Sequence, residues 1–285
     1  MRWTNGRYFP RDGRRRLLLC GVMCAVTAVL ASCNRDPQST VSTTWAEQLS
    51  REETRKFRSI MDSHPGVIVQ PVPLESRETK SRAGINVSVA QSVDLDEKAV
   101  DAIREVQRTR PISMLRLKSE YVQDGDFGFL LELNDLEFLE ASSSSFGNEE
   151  LNYVAELSGL RVFEAWKSRI TDDGLKKLAD TESLQAVTLA NSRVTGSGFA
   201  AFANHANLLH VDVSGTKFDD EGLRNLAKIP NLTSIIAVGT KVTDAGLAEL
   251  AKLSNLTYLN VESTDVTAEG AQRLQNALPK LRLYR

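Results

Sequence analysis

From Ile112 onward a single 24-residue pattern returns seven times, opening at Ile112, Leu136, Leu160, Leu184, Leu208, Leu232 and Leu256. A short fixed period is a strong constraint, because each unit becomes one small structural element that must lie against its neighbours. The clearest copy places Leu232, Ile235, Ala237, Thr240, Val242, Thr243, Gly246, Leu247 and Leu250 at the repeating positions.

Each unit has two halves. The first alternates apolar and polar residues, the period of a strand, with Leu232, Ile235 and Ala237 inward and Ser234, Ile236 and Val238 outward. The second has helical spacing, with Gly246, Leu247, Leu250, Ala251 and Leu253. Thr171, Thr195, Asp219, Thr243 and Thr267 precede the helical halves and are expected to cap them by accepting an orphan backbone N–H. Asn207, Asn231 and Asn255 end them, and are expected to take the left-handed turn back to the next strand. One unit has too few apolar side chains to offset the entropy of ordering its backbone, so neighbours must share faces. The strands then pair in parallel, giving a curved stack with strands on the concave side and helices on the convex side.

The motifs Val242-Thr243-Asp244-Ala245-Gly246-Leu247 and Ile170-Thr171-Asp172-Asp173-Gly174-Leu175 resemble those of bacterial leucine-rich-repeat proteins. That resemblance implies an α/β horseshoe of about seven to eight repeats, here spanning residues 85–285. In that family the ninth position carries Asn, laddering along the turns. Here it carries Ser144, Ser168, Ser192, Thr216, Thr240 and Thr264, whose hydroxyls are expected to do similar work. Ile85, Val87 and Val89, then Leu95, Val100 and Ile103, supply an eighth, atypical unit. Asp126 and Glu150 replace the Gly in the first two full units, and Leu281, Leu283 and Tyr284 begin one more strand. Arg282 and Arg285 put charge on that strand, which discourages edge-to-edge pairing.

The N-terminal region has a different character. Arg2, Arg7, Arg11, Arg14, Arg15 and Arg16 precede an apolar run from Leu17 to Ala31, too short for a membrane span and ordered like a signal peptide over 1–32. Leu30-Ala31-Ser32-Cys33 resembles the lipobox of bacterial lipoproteins. That resemblance implies cleavage before Cys33, acylation of its thiol, and export to a membrane-anchored position in the bacterial cell envelope. The mature chain would keep only that cysteine, so no disulfide would staple the fold. It would hold 29 basic against 36 acidic residues, which argues against nucleic acid and against a polybasic membrane surface. Membrane contact would come through the lipid. Residues 33–44 read as a tether, and 45–84 as an N-terminal helix with a capping and linker segment. Trp45 to Met61 is amphipathic and is expected to close the open end of the stack. An alternative is that this segment folds over the concave face.

No catalytic constellation is present, so no enzyme activity, cofactor or metal is expected. His64, His205 and His210 have no partner at metal-ligand spacing, and His205 falls at a helix end, where a cation suits the dipole. Asp172-Asp173 and Asp219-Asp220 lie at helix starts, where the dipole stabilises negative charge.

The 24-residue period places outward strand residues in columns on the concave face. Arg116 and Lys118 make one end basic, and Glu140, Glu164 and Asp212 make the middle acidic. Phe138, Trp166, His210 and Tyr258 are expected to supply exposed aromatic area. Aromatic residues are over-represented at binding hot spots, so Phe138, Glu140, Glu164, Trp166, His210, Asp212 and Tyr258 form the candidate ligand-binding set. The expected role is a scaffold that binds a protein partner. The alternatives are a carbohydrate or cell-wall glycan, with sugars stacked on the aromatics, and a structural spacer with no specific ligand.

Overall fold

The computed structural model describes residues 49–71, 84–90, 95–118, 127–142, 145–203 and 205–285. The signal-peptide, Cys33 and tether expectations therefore fall outside the described residues, as do Trp45 and Ser144.

The chain begins with α1 (Arg51–Ser63), then β1 (Val67–Pro71), β2 (Ile85–Val89), α2 (Glu97–Thr109) and β3 (Ile112–Leu117). A 3-10 segment at Phe127–Glu132 follows, then β4 (Phe138–Ala141), α3 (Leu151–Ala155), β5 (Val162–Glu164), α4 (Asp172–Lys177) and β6 (Ala186–Thr188). A second 3-10 segment, Ser197–Phe202, leads to β7 (His210–Asp212), α5 (Asp220–Leu226), β8 (Ser234–Ile236), α6 (Asp244–Glu249), β9 (Tyr258–Asn260), α7 (Ala268–Ala277) and β10 (Arg282–Tyr284).

Among the described residues, these ten strands form one sheet in sequence order. From β2 to β10 the pairing is parallel; β1 and β2 pair antiparallel and close the N-terminal end. The inward alternate residues, Leu139, Phe163, Val187, Val211, Ile235 and Leu259, have no solvent exposure. Leu151, Leu175, Leu223 and Leu247 from the helical halves meet them in one continuous core. The eighth unit is present as the spacing predicts, with β2 and α2 as its two halves.

The N-terminal helix starts later than the amphipathic pattern suggests and runs two residues past Met61. Ser50 fixes its start by a capping box: its hydroxyl accepts from Glu53 N at 3.1 Å, and the Glu53 carboxylate accepts from Ser50 N at 2.7 Å. Phe57 and Ile60 are buried, and α1 packs against α2 and β1 at the end of the stack. The described part of this helix thus packs at the N-terminal end of the sheet.

Three structural roles differ from those expected. The left-handed turn falls at Lys167, Asn191, Gly215, Gly239 and Ser263, one per repeat just after the strand, with φ of 57°, 58°, 67°, 66° and 58°. Asn207, Asn231 and Asn255 instead donate across repeats to the carbonyls of Glu182, Ala206 and Pro230 at 2.8, 2.7 and 3.4 Å. The family-like ninth position makes no ladder. Thr216, Thr240 and Thr264 turn back on the carbonyls of Val213, Ala237 and Val261 within their own repeat, at 2.6, 2.7 and 2.6 Å. Ser168 and Ser192, one methyl shorter, bury hydroxyls with no hydrogen-bond partner.

The signature Asp carries the inter-repeat side-chain bonding instead. Asp220 accepts from both the backbone N–H and the hydroxyl of Thr243, and Asp244 does the same for Thr267. Asp172 binds Thr195 twice and also the amides of Gly196 and Gly198. Burial alone would raise the Asp172 carboxyl; these amides and the hydroxyl outweigh it and hold it below the usual range. Thr195 is consequently not a cap: the Ser197–Phe202 segment follows Gly196, at φ 102°. Thr171 makes no side-chain cap bond, because its hydroxyl accepts from Asn148, while Asp219, Thr243 and Thr267 cap as expected. The signature Gly follows from the same contact, since a Cβ at Gly246 or Gly270 would run into the carboxylate of Asp220 or Asp244.

Candidate functional site

The register aligns the outward columns without a slip. Met114, Phe138, Val162, Ala186, His210, Ser234 and Tyr258 are successive partners. Arg116, Glu140, Glu164, Thr188, Asp212, Ile236 and Asn260 form the second column in the same way. Adjacent strands lie about 4.8 Å apart, so neighbours in a column are in reach of one another.

Four of the candidate residues assemble at one end of the face. Arg116 Nε lies 3.4 Å from the Glu140 carboxylate, with both side chains largely out of water. The same guanidinium covers the Phe138 ring at 5.1 Å from its centroid. Phe138 is only 1% exposed and Glu140 only 6%, so Phe138 does not offer the open aromatic area expected of it. The 24-residue separation of Arg116 and Glu140 already places them side by side; that was the signal for this pair.

Glu164 follows Glu140 in the column and is half-buried. Burial pushes its carboxyl up to about 7 from the usual 4.5, helped by the charge of Glu140 and, more weakly, Asp212. Arg116 and a hydrogen bond from the Trp166 side chain oppose that rise. The indole N–H is that donor, and Trp166 is itself half-buried. The arrangement is a charged patch: a buried Arg116–Glu140 pair on Phe138, with Glu164 and Trp166 beside it, one strand along, in partial contact with water.

His210 and Asp212 sit two strands further on, in β7. The His210 ring meets the Ser234 hydroxyl at 2.9 Å through Nδ1. Burial lowers the basicity of the ring, and the nearby Asp212 carboxylate opposes this. Asp212 also accepts from Ser214 N at 2.9 Å. Tyr258 lies two strands beyond, with its ring 5.5 Å from that of Tyr284 on β10. The seven residues thus form three groups along the face, not a single cluster, and Arg116, Ser234 and Tyr284 are additional members.

His205 does not serve as a terminal cation. It is buried; Nδ1 accepts from Leu208 N at 3.1 Å, which leaves Nε2–H to donate to the Thr181 carbonyl at 3.0 Å. Among the described residues no group of three or more His, Cys, Asp or Glu could hold a metal ion. No described helix is long and apolar enough to cross a membrane.

A family model described as leucine-rich repeat matches residues 204–227 and 252–274. No curated protein matches the chain. Among solved structures, internalin C2 of Listeria monocytogenes is 19% identical with a TM-score of 0.50, over 70% of this chain and 80% of that one. An internalin, inlF, of the same organism is 16% identical with a TM-score of 0.48 over 64% of this chain; this chain spans just 56% of its length. A leucine-rich-repeat protein of Leptospira interrogans is 14% identical with a TM-score of 0.45, over 65% of this chain and 50% of that one. The 24-residue period, the sheet in sequence order with a helical half between strands, the matched repeats and the internalin C2 likeness together make this chain an α/β leucine-rich-repeat solenoid.

Proposed function

We propose that this chain is a non-enzymatic lipoprotein of the bacterial cell envelope, anchored by lipid at Cys33, whose sheet face binds a protein partner. The observation that carries this reading is the state of Trp166. It stands just past β5, where Ala165 N and Lys167 N bond to the carbonyls of Thr188 and Ala190 in the next repeat, its side chain faces the Glu164 carboxylate, and part of it is open to water. A large, half-buried aromatic side chain with two rotatable bonds on a fixed backbone loses little entropy on binding, the property of a hot-spot residue. Glu164, Asp212, His210 and Tyr258 extend the face, while Phe138 and Glu140 flank it on the adjacent strand as buried neighbours.

The test is crosslinking in intact cells followed by mass spectrometry of the retained material, with Trp166→Ala as control. A protein retained by the native chain and lost with the variant, at an unchanged Tm, supports the reading. Recovery of wall glycan in its place would assign the face to carbohydrate. Equal recovery from both chains would remove the face as the site. Cys33→Ala tests the anchor separately, and its expected outcome is release from the membrane fraction.

A further inference from the structure

The outward residues of the sheet alternate in character from strand to strand. The β5 repeat presents Glu164 and Trp166, the β7 repeat His210 and Asp212, and the β9 repeat Tyr258 and Glu262. The repeats between them present small or aliphatic side chains, Thr188 and Ala190 with β6 and Ile236 and Val238 with β8. The register continues unslipped past the strands: Lys167 N, Asn191 N, Gly215 N and Gly239 N donate to the carbonyls of Ala190, Ser214, Val238 and Glu262 at 2.9, 2.7, 2.8 and 2.9 Å. A ring and a carboxylate thus return together on every second strand, about 9.6 Å apart, with a shallower valley between. All six ridge residues are half-buried, with part of each open to water.

The same stretch carries one sign of charge. From β5 to β9 the outward columns hold the carboxylates of Glu164, Asp212 and Glu262, and neither Lys nor Arg. The donors that orient these acids are neutral: the Trp166 side chain for Glu164, Ser214 N for Asp212 at 2.9 Å, and the Asn260 amide for Glu262 at 3.0 Å. Cations stand only at the borders, with Arg116 committed to Glu140, Lys167 in the turn past β5 and Arg282 on β10. The Asp212 charge reaches across β6 to Glu164 and makes its ionisation harder. The carboxylates are too dispersed for an inorganic ion, since among the described residues no group of three or more His, Cys, Asp or Glu could hold a metal. The complement of this face is a set of separate positive charges spaced along one chain.

We propose that the face from β5 to β9 binds a basic polyproline-II segment of a protein partner, laid across the strands with Lys or Arg at every third position. This rests on the reading of the sheet face as a protein-binding surface. Polyproline II has three residues per turn and a rise of about 3.1 Å, so one side returns about every 9.3 Å, in step with the ridges. An extended strand returns its side after two residues, about 6.6–6.8 Å, and falls between ridge and valley. A helix returns its face after seven residues, about 10.5 Å, and drifts by roughly 2 Å over the three ridges. In register, the cations meet Glu164, Asp212 and Glu262, with Trp166 and Tyr258 beside them for cation–π contact. The residues between the cations lie over Thr188 and Ile236. Such a segment is preformed, so an aromatic-lined surface orders it at little entropic cost.

The test is fluorescence anisotropy of a labelled repeating Pro-Pro-Arg peptide with the full chain. Saturable binding that weakens with salt is expected, and no binding of a Pro-Pro-Glu peptide. A block peptide of the same composition with its arginines together, and an alternating Arg-Thr peptide of equal charge, should each bind on the order of tenfold more weakly, because fewer ridges are engaged at once. Asp212→Asn with Glu262→Gln keeps the hydrogen-bonding shape of both residues and removes their charges. It should weaken the Pro-Pro-Arg peptide on the order of tenfold at unchanged Tm. Equal affinity of the double variant, equal binding of the block peptide, or tighter binding of the alternating peptide would overturn the proposal. If the double variant loses Tm, the ranking of the peptides on the native chain decides. Failure here is distinct from failure of the sheet-face reading: a protein captured in cells and lost with Trp166→Ala, without a preference for the Pro-Pro-Arg spacing, keeps the face as the site and removes the polyproline-II partner.

Discussion

Asp220 holds Thr243 of the following repeat twice, accepting from its backbone N–H at 2.7 Å and from its hydroxyl at 2.7 Å. The same residue types repeat the bond from Asp244 to Thr267, and Asn148 holds Thr171 by accepting from its N–H at 2.9 Å and donating to its hydroxyl at 2.8 Å. Asp220→Ala would leave a partly buried amide and hydroxyl unpaired, a loss of about 1–3 kcal/mol. Asp220→Asn should recover most of it, because Asn148 already shows that an amide fits the position. Urea denaturation of the two variants measures this; equal losses would show that carboxylate charge, not hydrogen bonding, matters.

Glu164 sets a pH dependence. Its folded carboxyl titrates at about 7 against the usual 4.5, so the folded state holds a proton that the unfolded state has released between these values. Stability therefore falls as pH rises through that window and stays lower above it. The shift corresponds to a contribution on the order of 3 kcal/mol. Glu164→Gln should flatten the profile between pH 5 and pH 8, as read from denaturation midpoints. An unchanged slope would place the titration on another group.

His210 contributes with the opposite sign. Burial holds its ring below the usual 6.5, so the unfolded state takes up the proton first on acidification. Stability is present above the usual imidazole range and is lost as pH falls through it. His210→Gln should reduce the acid sensitivity, and NMR of the ring should show it still neutral at pH 6.5.

The buried pair of Arg116 and Glu140 is expensive to break from one side. Arg116→Ala would remove the 3.4 Å cation contact of Glu140, 6% exposed, at a cost of up to about 3–5 kcal/mol. It would also uncover Phe138 and remove the charge that restrains Glu164. Replacing both partners together, Arg116→Met with Glu140→Leu, should cost far less. Thermal denaturation of the single and double variants separates the pair from its surroundings.

Much of this was legible in the repeat. The period of 24 residues determined the stacked parallel sheet, the inward and outward columns and their register. This follows because alternation along a strand and identity of successive units leave only one way to share a core. The proximity of Arg116 and Glu140 was implied by the same spacing, and that of Glu164 and Trp166 by the two-residue alternation that puts both on one face. What tertiary structure decided is which polar group answers which. The side chains of Asp172, Asp220 and Asp244 sit at helix starts, but the neighbouring repeat brings amides and hydroxyls close enough to claim them. His205 looks like a terminal cation until Thr181 and Leu208 close on its two nitrogens. Phe138 looks exposed until Arg116, one strand away, covers it. A single chain's pattern specifies the face on which a residue lies. Its burial and partners depend on the next repeat, about 4.8 Å away across the sheet and some two dozen residues away in sequence.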